Sequence, residues 1–175
     1  MDKTYIDKPA LVEIKSGKIL VARSKKNPDT FYMPGGKHKP KDDGTMETDQ
    51  ECLVRENGEE LNIKIKPKTI KFFGSFEAQA HGRSEGTIVR MNCYTAEYEG
   101  EPTADPQKSE IAEIAWLDYS GRDKVGLVAQ YIFDDLKERG LLEGHIDGEE
   151  AFLEEARQRR PKESLEGINT NIDRR

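Results

Sequence analysis

Residues Arg55-Glu56-Asn57-Gly58-Glu59-Glu60 gather four charges into six positions. A helix turns once every ~3.6 residues, so side chains three and four apart share a face. Glu56, Glu59 and Glu60 therefore project to one side of a helix formed here. Three carboxylates on one face repel one another unless a cation gathers them. Hard divalent cations such as Mg²⁺ take oxygen ligands and are held by a few carboxylates together with substrate phosphates. The chemistry this pattern names is metal-assisted attack on a phosphate chain. The bland alternative is a solvated Glu-rich helix face, and the residues around the acids weigh against it.

The acids follow Pro34-Gly35-Gly36, a tight turn after the apolar run Phe31-Tyr32-Met33. Together these residues resemble the Nudix box, G-x5-E-x7-R-E-U-x-E-E-x-G-U, where U is apolar. Gly36 matches the opening glycine, Glu47 the first glutamate, and the seven residues from Glu47 to Arg55 keep the spacing. Glu56, Glu59, Glu60 and the apolar Ile63 complete the match. There are departures. Ten residues lie between Gly36 and Glu47 where the pattern has x5, and the insertion around Lys39 to Gly44 is polar and turn-rich. Lengthening a surface loop costs little entropy. Asn57 stands at an apolar position. Asn62 replaces the last glycine, and Asn is the next most tolerant residue of a left-handed helix cap. Gly58 inside the helix costs about 1 kcal/mol relative to Ala. None of these changes removes an acid.

The resemblance implies an α/β chain with the Nudix fold, a mixed β-sheet sandwiched between α-helices. It implies hydrolysis of a nucleoside diphosphate linked to a moiety X, with Mg²⁺ (or Mn²⁺) as cofactor. It assigns metal binding to Glu56, Glu59, Glu60 and the carbonyl of Gly35. Glu56 is the closest match to the deprotonating or metal-bridging position. Gly36 and Glu47 are structural positions of the motif. Arg55, with its fixed five-donor fork, is expected to orient a carboxylate. Glu110, just before the strand around Trp116, is expected to assist catalysis from outside the box, with Glu113 and Glu77 as rivals. Arg23 ends a strand and is expected at the substrate phosphates. Tyr32, Glu77 and Gln79 are further candidates for substrate binding, His81 supplies another polar group, and Phe31, Tyr32, Phe76 and Trp116 are candidates for a base-stacking wall. The leading substrate is a nucleoside triphosphate, an oxidised one such as 8-oxo-dGTP among them, cut to monophosphate and pyrophosphate. A nucleotide sugar or dinucleoside polyphosphate is the rival. A domain that senses a nucleotide without cutting it is the alternative of a different class, disfavoured because the acids are retained.

Composition sets the surroundings. The chain has 175 residues, 35% of them charged, and a net charge of -6. An acidic balance argues against a nucleic-acid polymer or a membrane surface as partner. No apolar run approaches the ~20 residues of a membrane span. The start, Met1 to Tyr5, lacks the apolar core of a signal peptide. Cys52 and Cys93 are too few and too isolated for a disulfide framework, and His38, His81 and His145 show no zinc spacing. These features fit a cytoplasmic, reducing setting.

The elements that must position the acids are legible as patterns. Ala10 to Ile14 and Lys18 to Arg23 read as strands around a Ser16-Gly17 turn. Thr69 to Phe76, Thr87 to Ala96 and Ile111 to Leu117 carry the β-branched and aromatic residues of strands. Val125 to Arg139 has helical spacing of Val125, Val128, Ala129, Ile132, Phe133 and Leu136. The predicted domain is 1–142, followed by a charged tail, 143–175, with a short helix over Gly148 to Arg160. Burying Phe152 and Leu153 gains roughly 3–6 kcal/mol, which ordering of the segment offsets. Docking of that helix is therefore marginal in a monomer, and a homodimer would favour it.

Overall fold

The computed structural model describes residues 2–160. The chain opens with β1 (Thr4–Leu11) and the two-residue β2 (Ile14–Lys15), then turns into β3 (Lys18–Ser24). Ser16 and Gly17 make that turn with φ of 49° and 69°, the two positive values a tight hairpin turn demands. The strand expected at Ala10 begins at Thr4 instead. Thr4, Tyr5 and Asp7 are exposed, Ile6 and Lys8 are half-buried and Pro9 follows, so no apolar alternation announces this stretch. Pro9 is tolerated because β1 lies at the edge of its sheet.

Helix α1 (Asp49–Leu61) carries the acids. Thr48 caps it: its hydroxyl accepts from the Glu51 amide, and the Glu51 carboxylate accepts from the Thr48 amide. Two orphan amides are thereby satisfied. Asn62 ends the helix in the left-handed region, φ 57°, as its type allows. Then come β4 (Lys64–Ile65), a 3₁₀ turn at Pro67–Thr69, β5 (Lys71–Gln79), β6 (Thr87–Thr95), β7 (Tyr98–Glu99) and β8 (Ile111–Leu117). A 3₁₀ segment, Tyr119–Lys124, leads to α2 (Leu127–Glu138), and α3 (Glu149–Arg159) follows.

The strands form a mixed sheet, β1-β6-β5, with β1 parallel to β6, and an antiparallel sheet, β2-β3-β8. Alternation along the strands separates two cores. Leu11 and Leu20 pack toward α1 with Leu53, Leu61, Ile63, Ile65 and Ala96. Ala10, Ile19, Val21, Met91 and Cys93 pack toward α2 with Ile132, Phe133 and Leu136. The result is helix, sheets, helix, with α1 on one side and α2 on the other.

Helix α3 lies against α2. Leu153 and Ala156 are buried, Arg160 donates twice to Asp135, Arg157 pairs with Glu138, and the Arg122 guanidinium stacks on Phe152 at 3.8 Å. An area estimate from two side chains contains none of these polar contacts, so docking is better supported within one chain than apolar burial indicates. Of the expected tail, residues 161–175 lie outside the described residues.

Candidate active site

Two glycines bring the turn before α1 onto its neighbours. A Cβ on Gly35 would meet the Pro9 carbonyl oxygen of β1, and one on Gly36 would meet the Glu56 carboxylate. Only glycine permits both approaches. The same turn is tied to β1 by the Leu11 amide, which donates to the Pro34 carbonyl at 2.8 Å, and to β3 by paired bonds between Tyr32 and Ala22. The chemistry of the turn is thus fixed from three sides.

The inserted loop is a small hairpin. Pro40 bridges Met46, the Lys41 amide donates to Thr45, and Gly44 turns at φ 84°. Its base is closed by Glu47, whose amide donates to the Lys39 carbonyl and whose carboxylate accepts from the Lys39 amide. The insertion is also pinned to the sheet. His38 Nε2 lies 2.7 Å from Asp49, and Asp49 accepts from the Tyr94 hydroxyl at 2.6 Å and the Asn92 amide at 3.1 Å. The two contacts from β6 are long-range in sequence, and only the structure reveals them.

Arg55 organises the acids. Its Nε donates to Glu47 Oε1 at 2.5 Å and its Nη2 to Glu47 Oε2 at 2.8 Å, a bidentate pair. The Nη2 also donates to the Lys37 carbonyl at 3.0 Å, while Nη1 reaches Glu56 at 3.0 Å and Glu59 at 3.3 Å. Arg55 holds the Glu47 carboxyl down at about 2, with the Lys39 amide adding to the effect. Glu56 is buried between Arg55 and Gly36. Burial, then the charges of Glu56, Glu110 and Glu59, pushes the Glu60 carboxyl up to about 7. Burial and then Glu60, Glu110 and Glu56 raise the Tyr32 hydroxyl as well. Glu56, Glu60, Glu110 and Tyr32 therefore share one electrostatic field.

Stability does not ask for this arrangement. The last turn of α1 carries Glu59 and Glu60 and no basic residue, against the preference of a helix C-terminus for cations. A divalent cation would relieve the repulsion, and the donors are all oxygens, the type Mg²⁺ and Mn²⁺ take. Among the described residues no three His, Cys, Asp or Glu side chains converge on one point as they stand. Glu59 is drawn to Arg55 and, at 3.7 Å, to Lys39. In residue type and shared face the donors fit a hard divalent cation.

A family model of the NUDIX domain matches residues 9–122. The chain belongs to the NUDIX family. None of the curated proteins matches the sequence. Among solved structures, the E. coli ORF135 protein is similar at 20% identity and TM-score 0.56, covering 75% of this chain and 88% of its own. A MutT NUDIX hydrolase from Burkholderia pseudomallei is similar at 17% identity and TM-score 0.52, covering 87% and 98%. The MutT protein from Methanosarcina mazei Go1 gives 16% identity and TM-score 0.57, covering 80% and 98%. At these identities the structures show a shared fold. The family activity is metal-dependent hydrolysis of nucleoside diphosphates linked to a moiety X, and the chain is a Nudix hydrolase by membership.

Within this Nudix domain the other expected residues have varied placements. Glu110 reaches the field of Glu60 and Tyr32, and its carboxylate is exposed and held by Lys26 at 3.2 Å. Arg23 pairs with Glu113, donates to the Pro28 carbonyl and stacks over Phe31. Glu77 pairs with Arg90 at 2.7 Å. Gln79 spans the β5–β6 turn, donating to Ser84 and accepting from the Gly86 amide. No hydrogen bond or ion pair joins Arg23, Glu77 or Gln79 to the α1 acids among the described residues. Phe31 and Phe76 lie with the α2 core and Trp116 with the α1 core, so they do not form one wall. Lys8 escaped the sequence reading because β1 was expected to start at Ala10, yet it lies half-buried in the field of Glu60 and Glu56.

Proposed function

We propose that this Nudix hydrolase uses Mg²⁺ or Mn²⁺ to cut a nucleoside triphosphate to monophosphate and pyrophosphate, with 8-oxo-dGTP among the candidate substrates. The observation that carries the reading is the Glu47–Arg55 clamp, which presents Glu56 against the Gly35-Gly36 turn while Glu60 stands beside it. Glu56, Glu59, Glu60 and the Gly35 carbonyl would hold the metal. When bound, a divalent cation neutralises phosphate charge and lowers the pKa of water.

The chain's own residues do the rest. Glu56 is the carboxylate at the deprotonating position, held in one orientation by Arg55. Arg55 and Glu47 act as positioning residues, since their contacts are to carboxylates and backbone. Glu110 stands across the field from Glu60 as the assisting acid. Tyr32 lines the site from the preceding turn, while Arg23, Glu77 and Gln79 are better read as structural ties of the strand ends.

The test is a product analysis. The protein is incubated with Mg²⁺ and a panel of nucleoside triphosphates, 8-oxo-dGTP, nucleotide sugars and dinucleoside polyphosphates, with and without excess chelator. Pyrophosphate and monophosphate from a triphosphate, abolished by chelator, is the expected result. Monophosphate released only from a sugar nucleotide or dinucleotide would replace this substrate assignment. No product from any nucleotide would favour a nucleotide sensor.

A further inference from the structure

The cations around the acid site divide into two groups. Arg55, Lys39, Lys26, Arg23 and Arg90 each have a carboxylate partner. Lys8, Lys37 and Arg83 do not: among the described residues none of the three makes a side-chain hydrogen bond or ion pair. For Lys37 and Arg83 this is ordinary, because both are exposed. For Lys8 it is not, because a half-buried ammonium without a partner opposes folding.

Its place in the fold explains what it faces. Lys8 precedes Pro9, whose carbonyl lies against Gly35, and it shares with Ala10 the face of β1 turned toward α2. Ala10 bridges Gly35, Gly36 lies against Glu56, and Lys37 follows directly, its carbonyl accepting from Arg55. On the other side Lys8 pairs in register with Met91 of β6, and Arg83 sits on the turn that joins β5 to β6. Burial, Lys37 and Arg83 together lower the Lys8 ammonium below its ordinary value, and Glu60 and Glu56 act against them. Three unpartnered cations thus share one electrostatic neighbourhood with Glu60 and Glu56. A metal held by the acids leaves much of a triphosphate's charge unmatched, and fixed cations are the usual complement to it.

We propose that Lys8, with Lys37 and Arg83 beside it, binds the phosphate chain of the substrate and seats it against the acid face. This rests on the triphosphate reading above and adds the residues that would hold the anion. Inorganic tripolyphosphate separates the two claims, because its binding is read without turnover. Calorimetric titration in Mg²⁺ compares wild type with Lys8→Met, Lys8→Arg and Arg83→Gln, with a melting curve for each. Lys8→Met is expected to weaken tripolyphosphate about tenfold while its melting temperature stays level or rises, and Lys8→Arg to restore most of the affinity. Arg83→Gln, on an exposed turn, is expected to weaken binding about threefold. The KM for the best nucleotide triphosphate should rise about tenfold in Lys8→Met.

Equal tripolyphosphate binding by wild type, Lys8→Met and Arg83→Gln overturns the proposal. So does a Lys8→Met protein that loses its fold while Arg83→Gln binds as wild type. If wild type hydrolyses a triphosphate and KM is unmoved in both variants, the anion site falls and the hydrolase reading stands. If binding depends on Lys8 but nothing is hydrolysed, the anion site stands and the hydrolase reading falls.

Discussion

Glu47→Gln removes one charge from the clamp behind the acids and keeps its shape. The clamp has two charge-assisted bonds, at 2.5 and 2.8 Å, between side chains that are 20% exposed for Arg55 and 10% for Glu47. Breaking a fully buried pair costs about 3–5 kcal/mol, and an exposed pair about 0–1 kcal/mol. Arg55 keeps Glu56 and Glu59 as partners, so about 2 kcal/mol is the reasonable magnitude. For a chain of this length that lowers the melting temperature by about 4–8 °C. The site should change as well. Freed from Glu47, the guanidinium is drawn further onto Glu56 and Glu59 and competes with the cation, so metal affinity falls about tenfold or more. The acid limb gives an independent reading. The Glu47 carboxyl, held at about 2, lies below its ordinary 4.5. Its contribution is therefore present above pH 4.5 and is lost as pH falls from there toward 2. The Gln variant should lose that part of the wild-type acid sensitivity. Thermal melts from pH 2 to 7 and a Mn²⁺ titration of both proteins test this. A variant that melts with wild type at pH 7 and binds Mn²⁺ as tightly would refute the clamp.

Other substitutions separate shape from charge. Gly35→Ala drives a Cβ into the Pro9 backbone and should yield little folded protein on expression, whereas Gly36→Ala meets the Glu56 side chain and should fold while losing most turnover. Gly58→Ala should raise stability by about 1 kcal/mol in a denaturant melt, since a Cβ there meets nothing closer than the Ile63 carbonyl at 3.7 Å. Asn57→Leu should also stabilise, because the buried Asn57 Oδ1 has no hydrogen-bond partner among the described residues; an unsatisfied buried acceptor costs roughly 1–3 kcal/mol, read as a higher melting temperature.

The parts of the site legible in the sequence are the local ones. Glu56, Glu59 and Glu60 share a face because helical spacing requires it, and Arg55 reaches Glu59 one turn away. The Thr48-to-Glu51 capping box is equally local but went unread in the sequence, and it marks where the inserted loop ends. What stayed hidden depends on distant partners. Nothing near Arg23 or Glu77 in sequence reveals Glu113 or Arg90, because cross-strand neighbours follow from register. Trp116 and Phe76 are both aromatic strand residues, and only the pleat decides that they face opposite cores. The first half of β1 is held by pairing with β6, so its polar residues give no period. The α3 contact rests on Arg122, Arg160 and two buried aspartates of α2, which read in sequence as surface charge.

The central claim is that the α1 acid face, presented by Arg55 and the Gly35-Gly36 turn, holds a divalent cation. It is tested most directly by titrating Mn²⁺ into wild type and Glu56→Gln while following free Mn²⁺ by electron paramagnetic resonance. The amide keeps the volume of Glu56 and removes its charge. Wild type should bind Mn²⁺, and the variant should bind at least about tenfold more weakly, since a carboxylate ligand to a hard cation is lost, while its melting temperature remains within a few degrees. Equal Mn²⁺ binding by the two folded proteins would contradict the claim.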